Sequence, residues 1–489
     1  MKSYLKYLWP GMALCSMFFY PLISTLGDEP YYMHWKALHG AEFAAAWVAL
    51  SLVFTAFLLF SYRHSGSRTA IIVLSVPGVL SATSMAAQVI RQLDLSKKMD
   101  VVAANPYVKV LALAVVLLIG LIVLVPQRQT LRNMLMKAAL VFLFVISPLT
   151  LISLYTVAGA SLWAGDRGAG ETRADAVGDK PSLHPEGHVY LIIFDEMSYE
   201  YLYEEGTVKS AYPNFRAFSD MADNYHDAQA PGANTMTSIP ALLNLKEGQR
   251  TKVIGDRLYL MEKGRAPLEF SPTPDNVFST ARAKGYGTAL YGWYHDYCGI
   301  FKGLLDACRS YSIYNYSSSA RGFSPLNAVF TNFNLWPYVF PAGYLKNLTA
   351  APFHRNNAYS ALGHALKTID MEGSYFFFIH FGVPHNPFVF DAAGFNPPAD
   401  PFNPSEKNYV NQLAYVDRIF GEFLERMREA GKLESSTIIV ASDHNFRKRT
   451  PKERHKNVPL IVKRKGQGER MDFTEPALLI SVVRETLAR

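Results

Sequence analysis

Five long apolar stretches crowd the first 165 residues of this chain, and they account for almost all of its long apolar runs. They cover 8–26, 43–62, 69–87, 108–125 and 138–160. A helix needs about 20 apolar residues to cross the hydrocarbon of a bilayer, and each stretch comes close. Buried helices of a soluble protein would show amphipathic faces or strands between them, and these do not. A cleaved signal peptide accounts for the first stretch only. The expectation is a transmembrane domain of five helices over 1–163. Basic residues in the short loops orient it. Lys2, Lys6, Arg63, Arg68, Arg128, Arg132 and Lys137 fall on one side. Lys36, Arg91, Lys97, Lys98 and Lys109 fall on the other, partly offset by Asp28, Glu29, Asp94 and Asp100. The N-terminus is therefore expected in the cytoplasm and everything after Trp163 outside. The formal net charge of +7 is then largely topology signal plus a basic tail, with no call for a nucleic-acid partner. The near absence of charge within the stretches argues against a transporter, whose path such residues usually mark.

Residues 164–187 are rich in Gly, Asp and Pro and read as a linker. From 188 to 489 the pattern changes to short apolar runs separated by helical periodicity. Val189–Phe194 is continuous and rich in branched residues, as in a strand buried on both faces. Similar runs recur at 288–291, 375–379 and 437–441. Over 408–431, Val410, Leu413, Phe420, Phe423, Leu424 and Met427 form one helical face, and Gly431 is placed to end it. Alternating strands and helices imply an α/β domain with a mostly parallel central sheet covered by helices. Cys298 and Cys308 lie ten apart in a loop-like stretch outside the membrane. An oxidising compartment favours a disulfide there; a reduced, inert pair is the alternative.

Ligands of open α/β sheets sit beyond the carboxyl ends of the strands. One strand here ends in Asp195-Glu196. A second ends in His380, with Pro384-His385-Asn386-Pro387 just after. A third ends in Ser442-Asp443-His444-Asn445. One such polar end is usually a cap, but three in one sheet form a set of Asp and His ligands suited to zinc or manganese. A nucleophile is available in Ala233-Asn234-Thr235-Met236-Thr237-Ser238-Ile239-Pro240, which packs three hydroxyls into four positions. Read locally, that stretch is a Thr or Ser N-cap opening a helix that Pro240 helps to start.

Together the acid-ended strand, Thr-x-x-Ser-x-Pro, Pro-His-x-Pro and Ser-Asp-His resemble the sulfatase/alkaline-phosphatase superfamily. The five-stretch anchor resembles its membrane-bound branch, the phosphoethanolamine transferases of lipid A and the lipoteichoic acid synthases. The resemblance implies Asp195, Asp443 and His444 as metal ligands, with Glu196 a further candidate. It places Thr235 at the nucleophile position, also on the metal, with Thr237 second and Ser238 structural. His385 would contact phosphoryl oxygens. His455, in a basic loop, would bind phosphate or protonate a leaving group, unless that loop is merely a solvated surface. Trp293, Tyr294 and His295 offer a headgroup pocket or plain core packing. The implied cofactor is a divalent metal, Zn2+ or Mn2+, with Ca2+ or Mg2+ as alternatives.

The departures are informative. Sulfatases carry an oxidisable Cys or Ser and a nearby arginine. Here Thr235 holds the first position and Ile239 the second, which argues against a conventional sulfatase. The usual glycine after Ser-Asp-His is Asn445. The resemblance thus implies transfer of a phospholipid headgroup, of phosphoethanolamine or phosphoglycerol type, through a phospho-threonine intermediate. The acceptor would be a cell-envelope glycan or lipid, and the enzyme a multi-pass protein of the inner membrane facing the periplasm or exterior. A sulfatase-like hydrolase (phosphodiesterase, phosphatase or sulfuric ester hydrolase) is the alternative, and a non-catalytic scaffold a weaker one. No protein partner can be inferred.

Overall fold

The structure is a computed structural model that describes residues 2–28, 30–63, 137, 140–141, 143–144, 149–163, 172–173, 187–314, 316, 323–339, 343–446 and 457–488. The apolar stretches 69–87 and 108–125 lie outside the described residues, as does His455. Contacts divide the chain into two compact units. The first comprises Met1–Pro30, Trp35–Gly165 and Tyr316–Pro341; the second comprises Tyr31–His34, Asp166–Asn315 and Ala342–Arg489. Four residues of the loop after the first apolar stretch thus belong to the second unit, and a segment beyond residue 315 belongs to the first.

The first unit is helical, with helices Lys2–Phe18, Tyr20–Asp28, Ala37–Arg63, Leu149–Trp163 and Pro325–Val339. Among the described residues, Ala37–Phe60 alone is long and apolar enough to cross a membrane as a single helix. Tyr7–Phe18 and Tyr20–Gly27 reach that length only together, across a 65° bend.

Among the described residues, the second unit is built on a nine-stranded sheet. Its strands are β1 (Thr172–Arg173), β2 (Val189–Phe194), β3 (Asp223–Tyr225), β4 (Gly287–Trp293), β5 (Ala307–Tyr311), β6 (Tyr375–Phe381), β7 (Thr437–Ala441), β8 (Leu460–Lys463) and β9 (Met471–Phe473). Their order is β1-β5-β4-β6-β2-β7-β8-β3-β9. The run β5-β4-β6-β2-β7 is parallel throughout, and β1, β8 and β3 attach antiparallel at its flanks. The expected α/β domain with a mostly parallel sheet is therefore present.

Side chains of β2 alternate between two cores, as strand geometry requires. Tyr190, Ile192 and Phe194 pack among Phe215, Phe420 and Phe423, while Val189, Leu191 and Ile193 pack among Leu242, Phe278 and Val483. Burying both faces explains why the strand reads as an unbroken apolar run. The helix expected over 408–431 spans Glu406–Glu429, capped by the Ser405 side chain, with Gly431 at φ +66°. Cys298 and Cys308 are disulfide-bonded, on the helix Tyr297–Ile300 and on β5 rather than in a loop.

Candidate metal centre and nucleophile

Strand β2 ends where the chain must turn sharply, and Glu196 takes that turn at φ +67°, a left-handed backbone unusual for a side chain of its size. Two hydrogen bonds hold it there. Tyr409 Oη donates to Glu196 O at 2.9 Å, and Glu196 N donates to Asp443 Oδ1 at 3.1 Å. Asp443 Oδ1 also accepts from His444 N at 3.0 Å. Ser442 Oγ lies 2.9 Å from Phe194 O and 2.8 Å from His444 O, so the ends of β2 and β7 are fastened together. Asn445 is not among the described residues at positive φ, so its replacement of the family's glycine meets no left-handed strain.

The helix Thr235–Leu243 brings the hydroxyls. The local N-cap reading needs correction: the cap is Asn234, whose Oδ1 accepts from Thr237 N at 3.0 Å, and Thr235 is the first helical residue. Pro240 lies inside the helix and does not start it. It lacks the N–H that would reach Met236 O, and Thr251 Oγ1 donates to that carbonyl instead. Gly232 lets the loop close onto the helix, since a Cβ there would stand 2.5 Å from Thr237 Oγ1 and 2.8 Å from Ser238 N. Thr237 turns its hydroxyl back to Asn234, 3.0 Å from Oδ1. Ser238 Oγ is buried with no hydrogen-bond partner among the described residues. Thr235 Oγ1 instead lies 3.1 Å from Asp195 Oδ2 and 3.2 Å from His444 Nε2.

Asp195, Asp443 and His444 converge here, all buried, with one ligand atom from each lying within 4.8 Å of the others. Among the described residues, Asp195 Oδ1 and Asp443 Oδ2 have no hydrogen-bond partner. Such atoms are costly to bury unless something cationic neutralises them. His444 Nδ1 lies 3.0 Å from Asn445 O. A carbonyl only accepts, so the ring proton sits on Nδ1 and the Nε2 lone pair faces the carboxylates. Backbone orientation of a ligand histidine in this way is typical of metal sites. Two buried acceptor oxygens without donors, joined by an imidazole lone pair, fit a divalent cation. Burial pushes the Asp443 carboxyl upward, as does the neighbouring Asp195 charge. Burial pushes Asp195 the same way, but His385, His380 and His444 together outweigh it and hold its carboxyl below the usual range.

A ring of histidines surrounds the trio. His385 stands between two cis-proline bonds, with Nδ1 donating to Asn386 O at 2.5 Å and Nε2 at 4.0 Å from Glu196 Oε2. The Glu196 carboxylate therefore faces His385, outside the group of three. The Trp293 ring lies 5.3 Å from that of His385, and Gly382 makes room for it, since a Cβ there would meet the indole at 2.6 Å.

Two buried histidines also join the site, His380 from the strand end expected to be polar and His295 from the aromatic group at the end of β4. His380 lies inside β6, one residue before its end, with Nε2 at 3.5 Å from Asp195 Oδ2. Tyr297 Oη is 2.7 Å from His380 Nδ1, and burial raises this phenol well above its ordinary value, so it stays protonated. His295 Nε2 is 3.2 Å from Thr235 O, and its Nδ1 is 2.6 Å from Tyr31 Oη. Burial lowers the His295 pKa to about 3, leaving the ring neutral. Its single proton then points at the Thr235 carbonyl, and Tyr31 donates to Nδ1. No local signal reveals Tyr31, which lies 264 residues away from His295 in sequence.

A model of the sulfatase family matches residues 188–480. No curated protein matches the chain in sequence. Solved structures with similar folds include an alkaline phosphatase superfamily protein from Vibrio parahaemolyticus, at 13% identity and TM-score 0.40, with 64% of this chain and 71% of that one covered. They also include a phosphonate monoester hydrolase of Agrobacterium radiobacter, at 14% identity and TM-score 0.38, covering 62% and 74%. A 2-O GAG sulfatase matches at 10% identity and TM-score 0.41, covering 62% and 71%. Since the family model takes in more than half of the chain, from the strand that ends in Asp195 to the last helix, the chain belongs to the sulfatase family and is a sulfatase-like enzyme.

Proposed function

We propose that this enzyme transfers a phospholipid headgroup, of phosphoethanolamine or phosphoglycerol type, to a cell-envelope glycan or lipid. The observation that carries the reading is the placement of Thr235 Oγ1, 3.1 Å from Asp195 Oδ2 and 3.2 Å from His444 Nε2. A threonine survives there where a sulfatase would need an oxidisable residue, and Ile239 stands where it would need arginine. The span-length helix Ala37–Phe60 supports a membrane setting. In this reading residues 1–163 are a five-helix anchor in the inner membrane, 164–187 a linker, and 188–489 a catalytic domain outside the cytoplasm. The anchor keeps the site where the donor lipid is concentrated.

Asp195, Asp443 and His444, with Thr235, would hold the ion, Zn2+ or Mn2+ by donor type. Once bound, it lowers the pKa of the Thr235 hydroxyl and offsets charge on the phosphoryl oxygens. The chain's own residues do the rest. Asn234 caps the helix so that its first N–H groups and positive dipole end face an incoming phosphate. Thr235 gives up its proton as its oxygen bonds to phosphorus, and the bond from phosphorus to the lipid glycerol oxygen breaks. The departing oxygen takes a proton, for which His455 is the candidate. His385 reaches the non-bridging oxygens, with Glu196 beside it. An acceptor hydroxyl then attacks the same phosphorus, loses its proton and regenerates Thr235.

Intact-protein mass spectrometry after incubation with labelled phospholipid tests this. The wild type should gain the headgroup mass, and Thr235→Ala and Asp443→Ala should not. An adduct on Thr235→Ala would remove the nucleophile assignment. The sulfatase family membership itself favours a second reading, in which water is the final acceptor. Both share the first half-reaction, so products formed with and without an acceptor lipid separate them.

A further inference from the structure

The helix Pro325–Val339 is turned inside out relative to a helix in water. Its outward face carries Leu326, Phe330 and Phe333, exposed to 60%, 56% and 52%, and Phe323 just before it is exposed to 54%. Positions 326, 330 and 333 share one helical face. Beside Ala328 at 0% and Leu335 at 1%, the opposite, buried face carries three polar side chains: Asn327 at 6%, Thr331 at 0% and Asn332 at 0%. Each of these inward groups is spent inside the helical unit. Asn332 Nδ2 donates to Phe18 O at 2.7 Å and its Oδ1 accepts from Leu22 N at 3.3 Å. Thr331 Oγ1 donates to Asn327 O at 2.7 Å. Asn327 Nδ2 donates to Glu42 Oε1 at 2.7 Å.

Glu42 makes the link to the membrane-length helix. It lies within Ala37–Phe60, 1% exposed, where a carboxylate is tolerated only if its acceptors are filled. Ser324 N reaches its Oε1 and Tyr316 Oη its Oε2, both at 2.8 Å, so three of its donors come from 316–327. No charged residue occurs between Arg321 and Lys346. Water would reward the opposite arrangement, with phenylalanines inward and asparagines outward. Hydrocarbon rewards this one, because polar groups must then find partners within the protein.

We propose that residues 323–336 bury their outward face in the hydrocarbon of the bilayer, making a segment from late in the sequence a membrane-embedded part of the helical unit. The proposal rests on the membrane reading of Ala37–Phe60. In that setting the Glu42 cluster is its polar clasp, and the chain of the catalytic unit enters the membrane a second time.

The test uses the full-length chain with Cys15→Ser, leaving the Cys298–Cys308 disulfide in place, in vesicles of phosphatidylethanolamine and phosphatidylglycerol. Nitroxide labels are attached singly at Phe330→Cys and Leu326→Cys. Leu52→Cys, on the exposed face of the span-length helix, and Leu268→Cys, exposed in the catalytic unit, serve as references. Collisions with oxygen should exceed those with a water-soluble nickel chelate at 330 and 326, as at 52, with the order reversed at 268. Nickel access at both 330 and 326 while 52 prefers oxygen would overturn the proposal and leave the membrane reading standing. Nickel access at 52 as well would overturn both. Shielding of 330 and 326 from both reagents, or spin–spin broadening between labels, would assign the face to a second copy of the chain and overturn the proposal.

Discussion

Replacing Asp443 by asparagine should stabilise the metal-stripped enzyme while weakening the metal-loaded one. Asp195 and Asp443 are both 0% exposed, and their ligand oxygens lie within 4.8 Å of each other. Two like charges at that separation repel by about 3 kcal/mol at an effective dielectric constant near 20. Asparagine keeps Oδ1, so the bonds from Glu196 N and His444 N survive, and the repulsion is lost. Partial protonation of the raised Asp443 carboxyl trims the gain, so about 1–3 kcal/mol is expected, or a rise in Tm of about 2–6 °C. A carboxyl whose pKa folding raises costs stability above that pKa and less below it. The gap should therefore be widest in mildly alkaline buffer and shrink as pH falls. With zinc or manganese at about 1,000 times Kd, the wild type gains about 4 kcal/mol by linkage. The variant, having lost a ligand charge, gains less, and the order reverses. Calorimetry of purified full-length protein in detergent, at one scan rate with chelator and with each metal, reads both halves. Should Asp443→Asn melt below the wild type in chelator, or should metal raise both equally, the buried carboxylates are not a pair awaiting a cation.

Three further outcomes follow from individual side chains. Tyr31→Phe leaves His295 Nδ1 without its donor and frees the ring to lose its bond to Thr235 O; kcat on labelled phospholipid should fall about tenfold with KM little changed, as one buried hydrogen bond warrants. Asn234→Ala removes the cap on Thr237 N and should cost about 1 kcal/mol and slow adduct formation, whereas Asn234→Gly should cost only a few tenths; equal effects would discount the cap. His188, buried beside Lys432, has its pKa lowered to about 4 by burial first and by that charge second. The unfolded chain then binds the proton first, near the ordinary value of 6.5, so stability is full above that pH and declines as pH falls toward 4. His188→Gln should flatten this part of the Tm–pH curve, and an unchanged slope would place the sensitivity elsewhere.

Much of the catalytic unit was legible because its signals are local. A run of five or six apolar residues rich in branched side chains is too short for a helix and suits a buried strand, and β2 and β7 begin and end where their sequences do. Ends of parallel strands gather on one edge of the sheet, which is why Asp195, Asp443 and His444 were recognisable as a set before any distance was known. The cap was harder. Threonine, serine and asparagine all serve at helix N-termini, and only the hydrogen bond to Thr237 N selects Asn234. His380 and His295 were visible as residues, but a histidine in a strand or loop has no sequence mark of what its two nitrogens face.

By itself the sequence determined where the apolar mass lies, that an α/β sheet follows it, and which strand ends carry acids and histidines, since these follow from composition and spacing within short windows. The tertiary structure alone decided that Thr235 rather than Thr237 faces the carboxylates, that Tyr31 steers His295, and that the helix Pro325–Val339 joins the N-terminal helices. Each of these depends on which distant segments pack together and which medium a face meets, and spacing along the chain carries neither.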